Sequence, residues 1–295
     1  MIVLTAPTSN IGRKVLDLLL AAGHPVRVIA RSPSRLPASV LDKVEIVIGS
    51  HNDHDVVNRA FKGAEAVFWL VPPDVHAKSA EAAYVDFSRP ARDAIARHGV
   101  PRVVVISGLG RGSPLAAHAG LITASLAMED LITATGVDCR VLALPSFMDN
   151  IARQAVSIRD HGIFFSPISG DRKLPASATR DIAAAAAALL LDATWRGQEQ
   201  LAVLGPEDLS YNDMASIMTE VLGKPVRYQQ ISHEDHKTGF LGMGMSEAMA
   251  QGMADMYIAK NRGIDNVEPR TADNTTPTSF RQWCELELKP LVLAG

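Results

Sequence analysis

The sequence predicts an α/β fold in which a doubly wound parallel sheet of the Rossmann type is joined to a smaller C-terminal substrate lobe. Strand-like apolar runs alternate with helical patterns through the first half of the chain. Those runs are apolar almost throughout, which is typical of parallel strands covered by helices on both faces. After Pro145 the alternation stops, and residues 146–180 are rich in Pro, Gly and polar side chains.

The predicted elements follow one another in βα order. Strands are predicted over residues 1–5, 26–30, 44–48, 66–71, 102–107 and 139–144. Helices are predicted over residues 10–22, 53–61, 77–97 (bent before Pro90) and 121–133. Later elements are a helix over 181–191, a strand over 200–204, a helix from its N-cap Ser210 to Gly223, and a Met-rich helical stretch over 239–259. Right-handed crossovers between the parallel strands give the doubly wound topology.

The first helix should bury one apolar face against the sheet. Its apolar residues recur at helical spacing, and we expect this face to consist of Ile11, Val15, Leu18 and Leu19. Gly23 directly follows the helix and is typical of a helix end.

Composition excludes several classes of protein. The 295 residues are 47% hydrophobic, so the chain can bury a large core. With 29 Lys and Arg against 32 Asp and Glu, its net charge of −3 provides no broad attraction to nucleic acid or anionic membrane. No leader pattern opens the chain, and the longest apolar run, 182–191, is about half of a membrane span. We expect a cytoplasmic protein that binds neither nucleic acid nor membrane.

Cysteine and histidine spacing does not predict a metal site. The two cysteines are far apart, and Cys139 lies in an apolar run where a buried, inert thiol is expected. Two pairs of histidines stand three residues apart, His51/His54 and His233/His236. No third ligand accompanies either pair, so we interpret both as solvated helix starts.

A phosphate-binding turn is predicted between the first strand and the first helix. A tight turn at a helix N-terminus points backbone N–H groups and the positive helix end at a pyrophosphate. We expect cofactor contacts from Thr5, Ala6, Thr8, Ser9, Asn10, Ile11 and Gly12. Ala6 and Ser9 occupy two of the three usual glycine positions, and Gly12 retains the third. The alternative is a plain βα turn capped by Asn10.

The end of the second strand indicates NADP(H) rather than NAD(H). An acidic residue at this point of a dinucleotide-binding unit would bind the ribose 2′-hydroxyl, whereas arginine suits a 2′-phosphate. Here Arg31 occupies the position, and Arg35 follows within the same loop. The alternative for Arg31 is a solvated loop charge.

At this point the chain resembles the NmrA-like family of atypical short-chain dehydrogenases. Residues 5–36 are similar to the family's TGATGxxG…VRALVRxPxK segment, and residues 63–73 to its fourth strand. Later segments resemble "PxxFMxN" at 145–150, "xxDIA" at 179–183 and "LxGPE" at 204–207. The order and spacing of these segments together are more specific than any one of them.

The resemblance implies a cofactor domain and a substrate lobe. We assign residues 1–150, continued by 181–205, to the NADP-binding domain, and residues 151–180 and 206–295 to the lobe. Val71 and Pro72 after the fourth strand, and Ser107 at the end of the fifth, are further expected cofactor contacts. Five methionines, at 243, 245, 249, 253 and 256, form either the core of the lobe or an adaptable wall for a hydrophobic substrate.

The catalytic pair of most short-chain dehydrogenases is missing. In their Tyr-x-x-x-Lys pair, the tyrosine protonates the carbonyl oxygen, and the lysine lowers the pKa of the tyrosine. The resemblance aligns these positions with Leu121 and Ser125. Ser107, His118 and His76 are the remaining candidates for catalysis by location, although ordinary loop roles are equally compatible with the pattern.

Three functions remain open at this point. The first is an NADP(H)-dependent reductase that transfers hydride to a hydrophobic conjugated acceptor such as a quinone. The second is a non-catalytic NADP(H) sensor that binds a regulatory partner, and self-association is compatible with either. The third is an enzyme of this fold with non-redox chemistry, since fold alone does not determine function.

Overall fold

The computed structural model describes residues 1–294, which divide into two compact units. The first unit is made of three segments, Met1–Gly108, Ala124–Ala143 and Ile182–Leu201. The second unit is made of Leu109–Thr123, Leu144–Asp181 and the chain from Ala202 onward.

The first unit contains a seven-stranded sheet. Its strands are β1 (Ile2–Leu4), β2 (Val26–Ala30), β3 (Val44–Ile48), β4 (Ala66–Trp69), β5 (Arg102–Gly108), β6 (Asp138–Leu144) and β10 (Gln198–Ala202). The strand order is β10-β6-β5-β4-β1-β2-β3. The pairs β1–β2, β2–β3, β1–β4 and β4–β5 are parallel, and the order reverses at β1/β4. This is the predicted doubly wound Rossmann-type sheet, whose ligands bind beyond the carboxyl ends of the strands at the point of reversal.

Helices separate the strands of this sheet. They are α1 (Asn10–Ala21), α2 (Ala38–Leu41), α3 (His54–Phe61), α4 (Phe87–His98), α5 (Leu121–Thr133) and α8 (Thr179–Leu191). A π-helical turn, Ala82–Asp86, leads into α4. The long predicted helix over 77–97 therefore begins later than expected, although Pro90 is accommodated inside α4.

The second unit has short strands and its own core. Its strands are β7 (Ser146–Phe147), β8 (Ile163–Ser166), β9 (Leu174–Ser177), β11 (Asp208–Leu209) and β12 (Arg227–Gln230). Its helices are α6 (Asp149–Ala152), α7 (Ala155–His161), α9 (Tyr211–Leu222), α10 (His233–Gly242), α11 (Glu247–Asn261), α12 (Phe280–Trp283) and α13 (Lys289–Leu293). Strands β11, β9 and β7 form one small sheet, and β12 pairs with β8 in another. The core includes Phe164, Met218 and Trp283, whose ring stacks on Phe280.

The buried face of α1 differs from the prediction. Leu16 is buried, whereas Leu18 is 41% exposed. Gly12, buried in the first turn, faces Ala6 of the preceding turn, so the buried stripe is centred between Gly12 and Leu19. Successive residues are rotated by about 100° around the helix axis, which places Leu18 about 100° around the axis from that centre. The close approach of the first turn therefore orients the helix, and the run of leucines alone does not.

Two other elements depart from the predicted bounds. The predicted strand over 200–204 is β10, two residues earlier, and the Met-rich stretch is two helices, α10 and α11. Cys139 is buried as expected, and burial raises the pKa of its thiol to about 12. Within residues 1–294, no helix is long and apolar enough to span a membrane.

Candidate cofactor site

The turn between β1 and α1 is closed by a serine cap. Ser9 Oγ accepts a hydrogen bond from the Gly12 amide at 3.0 Å and donates to the Ala6 carbonyl at 2.8 Å. Ser9 is therefore the N-cap of α1, and the alternative prediction of a cap at Asn10 is wrong. The Asn10 side chain instead accepts from Lys14 Nζ at 2.6 Å. The serine at the second glycine position thus shapes the turn.

Ala6 supplies the backbone conformation that glycine usually provides at the first position. Its φ of +50° is the only positive φ of a non-glycine residue within the described part of the chain. A left-handed conformation costs an L-residue about 1–2 kcal/mol. A Cβ at Gly12 would lie 2.1 Å from the Ala6 carbonyl oxygen, a contact that neither backbone could accept. The turn therefore keeps its tight shape with one glycine, which fits the close approach of a pyrophosphate.

Thr5 connects this turn to the end of β4. Its hydroxyl donates to the Phe68 carbonyl at 3.0 Å and accepts from the Leu70 amide at 2.9 Å. Thr5 is fully buried. Its two hydrogen bonds hold in position the backbone that leads from β4 to Val71-Pro72. Val71 is buried, and Pro72 is exposed beside it.

The loop after β2 presents two cations. Arg31 and Arg35 are exposed, and neither guanidinium has a hydrogen-bond or salt-bridge partner among residues 1–294. The Gly49 amide donates to the Ala30 carbonyl at 3.1 Å, so the loops after β2 and β3 begin side by side. No acidic residue stands between Ala30 and Leu36. This donor set suits a phosphate next to the turn.

His51, in the loop after β3, makes contacts that the sequence interpretation did not predict. Its Nε2 lies 3.2 Å from the Leu70 carbonyl, and its ring packs edge-on against Trp69 and Phe87 at centroid distances of 5.3 and 4.7 Å. Burial, with a smaller contribution from the charge of Arg31, lowers the pKa of His51 to about 4. The interpretation of His51 as part of a solvated helix start is therefore wrong. No motif indicated this packing, because Trp69 and Phe87 are distant in sequence.

At the end of β5, Ser107 pairs with a second serine. Ser107 Oγ and Ser125 Oγ lie 3.1 Å apart, and both residues are buried. Either hydroxyl can be the donor, so the pair is self-satisfied without a charged group. Leu121, one turn before Ser125 on α5, is buried and apolar. Side chains at these positions thus offer neither a strong acid nor a cation.

The two candidate histidines are surface residues. His76 is exposed, and its amide donates to Asp74 Oδ1 at 2.9 Å within a local turn. His118 is exposed in the short 3₁₀ turn Ala116–His118 of the second unit. No hydrogen bond joins His76 to Ser107 in the described residues. Within the same residues, no three His, Cys, Asp or Glu side chains come close enough to bind a metal ion.

In the second unit, the family-like segments carry structural contacts. Asp149 accepts from the Thr179 hydroxyl at 2.6 Å, and Asp181 accepts from the Thr278 hydroxyl at 2.8 Å. Of the five methionines, Met249 is buried and Met243 is 74% exposed. Three of the four tyrosines also lie in this unit, where Tyr211 stacks on Tyr228 at 4.8 Å.

The whole chain resembles known proteins. The NmrA-like family model matches residues 1–286. A (4-alkanoyl-5-oxo-2,5-dihydrofuran-3-yl)methyl phosphate reductase from Streptomyces griseus is 30% identical over 96% of each chain.

The chain belongs to the NmrA-like family.

Further relatives of this NmrA-like chain are also reductases by name. An NAD(P)H azoreductase from Xenophilus azovorans is 28% identical, over 87% of this chain and 86% of that protein. The crystal structure of Citrobacter sp. triphenylmethane reductase complexed with NADP(H) has the same fold, with a TM-score of 0.79 and 21% identity over 99% and 100% of the two chains. The family prediction from the sequence is confirmed.

Proposed function

We propose that this chain is an NADP(H)-dependent reductase that passes hydride to a hydrophobic, conjugated acceptor such as a quinone. The observation that carries the proposal is the β1–α1 turn, which keeps its tight shape although two glycines are replaced. The named reductases among its relatives support the same reaction class.

Binding of the cofactor would divide between backbone and side chains. The amides at the start of α1, with Thr8 exposed at the turn, would receive the pyrophosphate, because the first amides of a helix lack intrahelical acceptors. Arg31 and Arg35, whose guanidinium groups have no partner in residues 1–294, would bind the 2′-phosphate. Ser107, Val71 and Pro72 would complete the contacts at the ends of β5 and β4. Bound NADPH supplies the hydride.

The proposed class of acceptor follows from the Ser107–Ser125 pair. A simple ketone needs a proton donor as the hydride arrives, and a general acid contributes about 10²–10⁴-fold to such a rate. Two neutral hydroxyls bonded to each other are poor acids. A conjugated acceptor spreads the incoming charge, so Ser107 needs only to position it, and the proton could come from water, His76 or His118.

The two units would have different tasks. The first unit would hold the cofactor. The sequence assigns this task to residues 1–150 and 181–205, of which residues 109–123 and 144–150 belong to the second unit. The second would supply contacts to the acceptor, with Met243, Met245 and Met253 as adaptable apolar groups.

A second candidate, a non-catalytic NADP(H) sensor, is favoured by one observation. The buried Ser107–Ser125 pair contains no acid or cation, which a binding protein would not need. Its ligand site would be the same turn, with a partner protein reading whether the dinucleotide is bound.

One experiment separates these candidates. Purified protein is mixed with NADPH and a quinone, an azo dye or no acceptor, and the absorbance of the reduced nicotinamide is followed beside a calorimetric titration with NADP⁺. We expect binding and acceptor-dependent oxidation of NADPH. Tight binding without oxidation across acceptors would favour the sensor, and absence of binding would overturn both.

A further inference from the structure

Three tyrosines lie close together in the second unit, and the hydroxyls of two of them are occupied. The rings of Tyr211 and Tyr228 stack at 4.8 Å. The Tyr228 hydroxyl lies 2.6 Å from the Ser166 carbonyl oxygen and 2.5 Å from the Ile168 carbonyl oxygen, at and just after the end of β8. Burial raises the pKa of Tyr211, and a hydrogen bond with Ser166 opposes that rise. Both hydroxyls therefore hold the fold of the unit together.

The hydroxyl of the third tyrosine, Tyr257 on α11, is available to a ligand. Tyr257 is partly exposed, and within residues 1–294 its hydroxyl neither has a hydrogen-bond partner nor belongs to the fully buried unpaired atoms. Burial and the neighbouring Tyr211 raise the pKa of Tyr257, and the positive charge of Arg153 acts against that rise. The phenol is therefore protonated near pH 7 and can donate one hydrogen bond.

A histidine of α10 holds the ring of Tyr257. His236 meets this ring edge-on, with the two centroids 4.7 Å apart, and the ring of Phe240 lies 4.5 Å from His236. Burial, with a smaller contribution from His233, lowers the pKa of His236 to about 4, so its ring is neutral near pH 7. Nδ1 of His236 is buried and has no hydrogen-bond partner within residues 1–294, so it does not accept the phenol proton. Packing thus orients Tyr257 and leaves its proton to a ligand.

Arg153 supplies a positive charge beside this phenol. Its backbone is fixed, because it caps the end of α6 and because the side chain of Gln154 makes two hydrogen bonds with the backbone of Phe165 in β8. Its side chain is exposed, and the guanidinium has no hydrogen-bond or salt-bridge partner among residues 1–294. Arg153 is also close enough to Tyr257 to act on its pKa.

Other arginines of the second unit are paired. Arg180, Arg270 and Arg281 each form a salt bridge with a carboxylate. Arg153 instead stands beside a neutral phenol, and both of these groups are donors. A guanidinium donates through a planar fork and the phenol through one O–H, which together match the several acceptor oxygens of a carboxylate or a phosphate. The aromatic neighbours of Tyr257 keep water from one side of this pair, which strengthens its hydrogen bonds.

We propose that Arg153 and Tyr257 bind an anionic substituent of the acceptor, such as a carboxylate or a phosphate group. The inference rests on the proposed reductase function and adds a class of substrate, a conjugated acceptor that carries a negative group apart from the ring that receives the hydride. The Arg153 guanidinium holds the charge, and the Tyr257 hydroxyl donates to one of its oxygens. The two residues determine specificity and take no part in hydride transfer.

The test uses three quinones that share one ring and one short saturated chain, which ends in a carboxylate, a phosphate ester or a methyl ester. Because the chain separates its end group from the ring, the three acceptors have nearly the same reduction potential. Values of kcat and KM at saturating NADPH are measured for the wild type, Arg153→Gln, Arg153→Lys, Tyr257→Phe and Arg262→Gln. Arg262, exposed at the end of α11, is the matched control because its replacement removes the same charge.

The wild type and Arg262→Gln should prefer at least one anionic quinone to the methyl ester by about tenfold in kcat/KM, mainly through KM. The ratio should fall close to one in Arg153→Gln, persist in part in Arg153→Lys, and fall by about threefold in Tyr257→Phe. Equal kcat/KM for the three quinones in the wild type, or an undiminished preference in Arg153→Gln, would overturn the inference while leaving the proposed function intact. No oxidation of NADPH with any of the quinones would overturn both.

A second measurement needs no variant and covers the case in which the substituted proteins do not fold. Added KCl should raise the KM of the wild type for the preferred anionic quinone, because salt screens charges that are partly exposed. The KM for the methyl ester should hardly change. An equal response of the two KM values would contradict the inference.

Discussion

The turn after β1 and the Ser107–Ser125 pair at β5 both differ from the pattern that the sequence resemblance implies, with different consequences. In the turn, Ala6 adopts the left-handed backbone of the glycine that it replaces, and Ser9 caps the helix. At the serine pair, Ser107 bonds to Ser125, and neither of these two side chains is an acid or a cation. Cofactor binding that depends on backbone amides would therefore tolerate side-chain replacement, whereas proton transfer would depend on the side chains themselves.

We expect the largest effect on the β1–α1 turn from a substitution at Gly12. Gly12→Val would force a Cβ against the Ala6 carbonyl oxygen, so we expect α1 to move, NADP(H) binding to fall by more than a hundredfold, and stability to fall by about 3 kcal/mol. Calorimetric titration and urea unfolding measure the two effects. Gly239→Ala, in an open position of α10, is the control. A Gly12→Val protein with normal affinity would show that the turn does not hold the cofactor.

Replacing Arg31 tests how much a side chain contributes to binding at the proposed cofactor site. Arg31→Ala should weaken NADP(H) binding about tenfold to a hundredfold, because a charge-assisted contact to phosphate contributes about 1.5–3 kcal/mol. NAD(H) binding should hardly change. The exposed Arg59 on α3 provides a matched substitution, Arg59→Ala. Equal affinity of the wild type for NADP⁺ and NAD⁺ would contradict the assignment of Arg31.

Acid should destabilise the protein through His51. Its pKa is about 4 in the folded chain and 6.5 in the reference state, so the unfolded chain binds more protons between these values. The contribution of neutral His51 is present above pH 6.5 and is lost as pH falls toward 4, by about 2 kcal/mol after allowance for its exposed part.

His236 adds to this effect in the same direction, since burial and the neighbouring His233 lower its pKa to about 4. Urea unfolding at pH 7 and pH 4.5 should show a smaller loss in His51→Phe than in the wild type and in His54→Phe. An identical loss in all three proteins would mean that His51 is not held neutral by the fold.

The smallest expected effect concerns Ala6. Ala6→Gly removes the strain of a left-handed alanine, so stability should rise by about 1 kcal/mol with cofactor affinity unchanged. The unfolding midpoint and the NADP⁺ dissociation constant measure this. A loss of stability would indicate that the alanine methyl group contributes more by packing than the strain costs.

Much of the fold was predictable because its determinants are local. The βα alternation, the cap at Ser210 and the stop at Gly223 all depend on neighbours within a few residues, and the observed α9 has those bounds. The buried face of α1 was not predictable from the sequence. Leu16 and Leu18 are the same residue type, and which of them is buried depends on how the helix meets β1. Strands β8 and β12 were missed since each is short and its partner is distant.

The features of the candidate site also divide into those that depend on neighbours in the sequence and those that depend on the fold. The tight β1–α1 turn and the position of Arg31 after β2 follow from spacing along the chain. The Ser107–Ser125 contact and the packing of His51 on Trp69 and Phe87 depend on the folded arrangement of separate elements. Sequence spacing had assigned His51 to solvent, because a histidine before a helix carries no local sign of aromatic neighbours.

We propose that the β1–α1 turn binds NADP(H) and that the Ser107–Ser125 pair lacks the acid needed for unactivated carbonyls. The most direct measurement compares kcat/KM for a quinone and for a simple saturated ketone at saturating NADPH, in the wild type and in Ser107→Ala. We predict that the ketone reacts slower by at least about 10²-fold and that Ser107→Ala lowers the quinone rate only modestly. Fast ketone reduction that is abolished in Ser107→Ala would contradict the account.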